Sequence, residues 1–162
     1  MSAEIVLDYR LLARELAPLR ATGRTVALTN GCFDVLHVGH VRLLREARAH
    51  GDLFVVALNT DASARGNKGP DRPHTPLAER AEIISAIVGV DYVTSFPEST
   101  ASGLLEALRP DVHVKGTDWT AETVPERDIV VAYGGRIEIC GDPKTHSSTA
   151  VLAKLREDDS AS

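Results

Sequence analysis

Six consecutive apolar residues, Leu53-Phe54-Val55-Val56-Ala57-Leu58, lie between Gly51 and Asn59 and restrict the possible folds more than any other stretch. A strand with no polar side needs cover on both faces, which a parallel sheet flanked by helices provides. Upstream, the short β-branched run from Thr25 to Leu28 gives way to a helical pattern. Val41, Leu44 and Ala47 share one side of it, and Arg42, Arg45 and Arg48 share the other. Strand, helix and strand in this order make a βαβ unit, right-handed by rule.

The same alternation continues along the chain. Leu11, Leu12, Leu16 and Leu19 mark a leader helix with Asp8 as its N-cap. Thr75 is expected to cap a helix opened by Pro76, with Leu77, Ala81, Ile84 and Val88 as its buried stripe. Asp91 to Phe96 and Asp111 to Lys115 read as strands, with a helix through Leu104, Leu105 and Leu108 between them, capped by Ser99 or Thr100. A helix from about Pro125 to Tyr133, a strand from Arg136 to Cys140 and a closing helix through Val151, Leu152 and Leu155 follow. The expected fold is a Rossmann-like, doubly wound α/β domain with a parallel sheet of about five strands. Residues 1–24 are expected to pack a helix on the domain, 25–156 to form it, and 157–162 to fray.

In such a sheet the ligand crevice lies at the carboxyl ends of the strands. Four unusual clusters fall just past strand ends: Asn30 to His40, Asn59 to Arg72, Lys115 to Trp119 and Lys144 to Thr149. Asn59 to Thr75 is long and polar, with Gly66, Gly69, Pro70 and Pro73, and reads as a mobile substrate loop.

Bulk properties narrow the partners. A formal charge of −5 argues against a general nucleic-acid or anionic-membrane binder. No apolar run is long enough to span a bilayer, and the first residues lack the pattern of a secretion signal, so a cytoplasmic protein is expected. Two cysteines, Cys32 and Cys140, are too few for a disulfide framework and suit buried thiols. His50, His74 and His113 show no metal-ligand spacing, so no protein-held metal is expected.

The densest chemistry lies in Thr29-Asn30-Gly31-Cys32-Phe33-Asp34-Val35-Leu36-His37-Val38-Gly39-His40. Strand end, tight turn and helix start present unsatisfied N–H groups and a positive dipole to an anion, and Gly39 admits a phosphate close to the main chain. His37 and His40, three residues apart, can converge on one polyphosphate.

This His-x-Gly-His, with its Gly-x-Phe-Asp lead-in, resembles the signature of the nucleotidyltransferase superfamily, in its cytidylyltransferase-like branch. The resemblance extends through Val56 to Ser63, Lys68-Gly69, Arg72-Pro73, Pro76-Leu77, Arg80 and Val114 to Asp118, and covers roughly Gly23 to Arg156. There it is most similar to the adenylyltransferases that make ADP-heptose from D-glycero-D-manno-heptose 1-phosphate, in a stand-alone form without the sugar kinase domain. It implies transfer of AMP from ATP to a sugar 1-phosphate, with Mg²⁺ held mainly by phosphate oxygens and water, and a homodimer. The loop Gly141 to His146 departs from that family's usual approach to the last helix.

The implied roles follow residue by residue. His37, His40 and Lys68 would serve the chemistry. Gly31, Cys32, Phe33, Gly39, Lys115, Gly116, Ser147, Ser148 and Thr149 would hold the nucleotide, the last three also serving as helix cap. Asn59, Asp61, Arg72 and Asp118 would meet the acceptor. Asp34 would orient the acceptor or brace the motif; Arg80 would meet substrate or pair with Glu79 or Glu82; Trp119 would cover a base or sugar or cap the core. Two alternatives remain: a glycerol-3-phosphate cytidylyltransferase using CTP, and a non-catalytic nucleotide-binding module.

Overall fold

The computed structural model describes residues 2–143 and 146–160, without the side chains of 158–160. Six strands form one parallel sheet: β1 (Glu4–Asp8), β2 (Val26–Gly31), β3 (Leu53–Asn59), β4 (Tyr92–Phe96), β5 (Val112–Gly116) and β6 (Arg136–Cys140), in spatial order β1-β4-β3-β2-β5-β6. The helices are α1 (Tyr9–Ala21), α2 (Val38–Ala47), α3 (Asp61–Lys68), α4 (Leu77–Ser85), α5 (Ser102–Leu108), α6 (Arg127–Ala132) and α7 (Ser148–Ser160).

The apolar run forms β3, and all seven of its residues are buried. Leu53, Val55 and Ala57 pack with Leu12, Leu16, Leu104 and Val130, while Phe54, Val56 and Leu58 pack with Leu44, Ala47 and Ile84. Two cores thus lie on the two faces of the sheet, as a strand without a polar side demands. The chain builds β2, β3 and β4 in one direction, then returns past β2 to place β5 and β6 on its other side. The strand order therefore reverses between β2 and β5, where a crevice opens beyond the strand ends.

Several details differ from the sequence reading. The sheet has six strands rather than five, because Glu4–Asp8 pairs in parallel with β4. This edge strand buries only Val6, so it has no apolar pattern to announce it. Asp8 does cap α1, accepting from the N–H groups of Arg10 and Leu11. The supposed long loop contains α3: Thr60 accepts from Ser63 N–H, and Asn59, Glu98 and Ser99 bond Ser63 and Asn67. A side-chain cap and tertiary contacts thus order a helix that carries Gly66 and Asn67 in its last turn. Thr75 does not cap α4, which starts after Pro76, and Val88 is 94% exposed beyond its end. Neither Ser99 nor Thr100 caps α5, whose N-cap is Ala101.

Candidate active site

A cavity of about 580 Å³ opens at the β2/β5 reversal. Its wall includes Asn30 to Asp34 after β2, His37, Gly39 and His40 at the start of α2, Asn67 and Lys68 at the end of α3, Lys115 to Trp119 after β5, and His146 to Thr149 at the start of α7.

The turn after β2 is built around Phe33, which adopts a left-handed φ of 48° and tilts its ring against His40 at 5.2 Å between centroids. A Cβ on Gly31 would stand 3.1 Å from that ring, so the glycine makes room for it. His37 then acts as N-cap of α2: its Nδ1 accepts from Gly39 N–H at 3.2 Å, while its own N–H donates to Nδ1 of His40 at 3.3 Å. These are the reciprocal bonds of a capping box, made here by two imidazoles whose centroids lie 3.9 Å apart. A Cβ on Gly39 would stand 2.9 Å from the His37 ring, so this glycine is sterically required.

The box fixes protonation as well as position. Burial, followed by the charges of His37 and Lys68, pushes the His40 pKa down to about 4. The ring is therefore neutral near pH 7, and with Nδ1 accepting a hydrogen bond its proton sits on Nε2. That leaves a donor to offer to a phosphate oxygen. The start of α7 provides a second set of N–H groups. Ser147 Oγ accepts from Ala150 N–H, and Ser148 Oγ donates to Val35 carbonyl at 2.7 Å, joining this helix start to the approach to α2. His146 stacks toward His37 at 6.4 Å. Lys144 and Thr145 of this loop lie outside the described residues.

The cations divide into two groups. Lys68 lies on the cavity wall, and its charge reaches both His40 and Cys32. Arg72 and Arg80 are not on that wall. The completely buried Arg80 side chain donates to the carbonyls of Cys32 and Thr75 and to Asp61 Oδ1 at 2.7 Å. It ties the turn after β2, the start of α3 and the approach to α4 together, and pairs with Asp61 rather than with Glu79 or Glu82. Asp61 is likewise engaged, accepting also from Leu77 N–H, and lies off the cavity wall. Arg72 donates to Asp34 Oδ2 at 2.6 Å, and Asp34 further accepts from the N–H groups of His74 and Thr75. Those bonds hold the Asp34 carboxyl below its ordinary range against the opposing effect of burial, which is the largest single influence. Asp34 therefore braces the motif from the cavity wall, whereas Asp61, Arg72 and Arg80 are bonded within the fold and lie off that wall.

Asn59 reaches the wall but spends its Nδ2 on Ser63. Cys32 and Cys140 are buried free thiols, both raised in pKa chiefly by burial. Trp119 is 38% exposed at the cavity wall, with Lys115 Nζ 5.9 Å from its ring centroid. Sequence reading left Asn30 without a role of its own. Its Oδ1 lies 2.9 Å from Nε2 of the buried His113 and 3.5 Å from Lys115 Nζ. Desolvation, followed by the Lys115 charge, lowers the His113 pKa to about 3, so this ring is neutral. The register Leu28↔His113 that brings β2 and β5 together emerges only on folding.

Among the described residues no cluster of three or more His, Cys, Asp or Glu could cage a metal, and no helix is long and apolar enough to cross a membrane. The cytidylyltransferase-like family profile matches residues 28–159. The chain is 49% identical to the bifunctional protein HldE of Syntrophotalea carbinolica over 84% of its own length and 28% of the relative's. With the bifunctional protein HldE of Pseudomonas fluorescens identity is 46%, over 96% of this chain and 32% of the relative. The chain thus spans about a third of the length of the curated relatives it matches. Among solved structures, the lipopolysaccharide core biosynthesis protein of Thermoplasma volcanium is 27% identical, with a TM-score of 0.60 over 72% of this chain and 94% of that one. Pantothenate synthetase from Thermus thermophilus shares the fold, with a TM-score of 0.62 at 14% identity over 84% of this chain and 60% of that one.

Proposed function

This chain belongs to the cytidylyltransferase-like family of nucleotidyltransferases, and on that premise we propose that it transfers AMP from ATP to a sugar 1-phosphate, D-glycero-D-manno-heptose 1-phosphate, forming ADP-heptose and pyrophosphate. The observation that carries the reading is the imidazole capping box, which sets His37, Gly39 and His40 together at a helix start on the wall of the cavity. The triphosphate lies across the starts of α2 and α7, where the helix dipoles favour negative charge. An oxygen of the sugar phosphate attacks the α-phosphorus as the bond to the pyrophosphate oxygen breaks on the opposite side. His40, His37 and Lys68 stabilise the charge that gathers on the leaving pyrophosphate, and none of them forms a covalent bond.

Members of this family use a divalent metal with their nucleotide. That ion would be Mg²⁺, held by phosphate oxygens and water rather than by a protein cage. When bound it neutralises phosphate charge. The working unit is a cytoplasmic homodimer that binds neither nucleic acid nor membrane. Residues 1–24 add a strand and a helix to a catalytic body at 25–156. Site roles fall to His37, His40 and Lys68 for the chemistry; to Gly31, Cys32, Phe33, Gly39, Gly116 and Ser147 to Thr149 for the nucleotide; and to Asn59, Asp118 and Trp119 for the acceptor.

The test is pyrophosphate release with Mg²⁺ and heptose 1-phosphate, comparing ATP with CTP, and with glycerol 3-phosphate as the alternative acceptor. Higher kcat/KM with CTP and glycerol 3-phosphate would replace this reading by a cytidylyltransferase. Nucleotide binding without turnover across a panel of phosphorylated acceptors would replace it by a binding module.

A further inference from the structure

Glu126 is nearly buried, with a side chain only 9% exposed, yet it stabilises nothing obvious in the fold. It is the N-cap residue of α6, where a carboxylate ordinarily accepts from the first N–H groups, but its side chain makes no capping bond. Its Oε2 is fully buried without a hydrogen-bond partner and stands 3.8 Å from Lys115 Nζ, an ion contact too long for a hydrogen bond. An isolated buried carboxylate is costly, so its placement needs a charge to answer it.

That charge is Lys115, whose side chain is 13% exposed and lines the cavity. Its other polar contact, Asn30 Oδ1 at 3.5 Å, is also long, so the ammonium retains donors for a ligand. Two anionic substrates must share this cavity, and among the described residues its wall carries two lysines, Lys68 and Lys115. Lys68 acts on His40 at the triphosphate end, whereas Lys115 stands across β2 beside Trp119. Resting on the function proposed above, we propose that Glu126 is a positioning residue that keeps Lys115 charged and aimed at the phosphate of the acceptor sugar.

The surroundings isolate this pair. His113 on β5 is neutral and Asn30 on β2 is uncharged. On β6 the position facing Lys115 is Ile139, and Glu138 beside it is paired with Arg136. Asp118, in the same loop as Trp119, and Asp142, which is paired with Arg42, are the other carboxylates on this side of the cavity. Desolvation, the first influence on Lys115, lowers its pKa, and Glu126 opposes this.

Steady-state kinetics of E126Q, E126D and K115M, with ATP and the sugar phosphate varied in turn, test the assignment. E126Q is expected to raise KM for the sugar phosphate by roughly tenfold while leaving KM for ATP within about twofold. E126D should recover part of the loss, and the E126Q/K115M double variant should be no worse than K115M alone. A second readout does not need turnover: NMR titration of ¹³C-methylated lysines, with Lys115 assigned from K115M, should show its pKa fall in E126Q. An unmoved Lys115 titration, or equal changes in both KM values, would overturn the proposal. If the wild-type protein releases no pyrophosphate from ATP with any sugar phosphate, the proposed reaction fails, while the lysine titration still decides whether Glu126 governs Lys115.

Discussion

Replacing Asp34 by Asn should destabilise the protein far more than a single loop residue ordinarily does. The carboxylate side chain is 1% exposed and accepts from Arg72 Nε at 2.6 Å, Thr75 N–H at 2.8 Å and His74 N–H at 3.0 Å. An amide keeps one acceptor oxygen and turns a donor NH₂ toward groups that are themselves donors. It also leaves a buried guanidinium without its counter-charge, in a side chain whose Nη2 already has no partner. Breaking a buried pair from one side costs about 3–5 kcal/mol. For a domain of this size each kcal/mol lowers Tm by about 2–4 °C, so Tm should fall by roughly 10 °C. Thermal and urea unfolding followed by circular dichroism measure this, with R72M and D34N/R72M completing a cycle. Removing Arg72 as well should recover part of the loss, because the uncompensated charge goes with it. A D34N protein within about 1 kcal/mol of wild type, or strictly additive single variants, would refute the brace.

H40Q should lower kcat by roughly a hundredfold to a thousandfold and cost about 1 kcal/mol of stability through the lost cap, both measurable on one preparation. Stability should also depend on acidity: the folded-state pKa values of His40 and His113, about 4 and 3, lie below the unfolded value. Between about 6.5 and those values the unfolded chain binds more protons, so urea midpoints should fall as pH is lowered through that window; a flat profile from pH 7 to 4 would contradict the neutral, buried rings. G39A should weaken nucleotide binding measured by calorimetry, because its Cβ would displace the His37 ring from 2.9 Å, and unchanged affinity would remove the steric argument. R80M should lower Tm while leaving substrate KM values within about twofold in the surviving folded fraction; a selective rise in KM would restore Arg80 to the substrate site.

The parts of this molecule legible in sequence are those fixed by local pattern. Leu53 to Leu58 could be satisfied only by cover on both faces, and His37-Val38-Gly39-His40 carries its geometry in its spacing. Glu4–Asp8 was hidden because an edge strand that buries one residue has no periodicity, and α3 because its order comes from Glu98 and Ser99, far along the chain. The cations illustrate a different limit. A lysine or arginine in a glycine-rich segment looks the same in sequence whether it lines a cavity, as Lys68 does, or is enclosed by carbonyls, as Arg80 is. Glu126 gave no signal, since its relation to Lys115 exists only once the segment after β5 folds back.

The parallel sheet has a practical consequence for handling the protein. Every strand points its carboxyl end toward the cavity, so β1 begins at the opposite rim, three strands away from β2 in the sheet order. A fluorophore or a tether to a solid support joined to the exposed side chain of Glu4, at the start of β1, would therefore sit clear of the mouth. Immobilised protein should accept both substrates as freely as protein in solution.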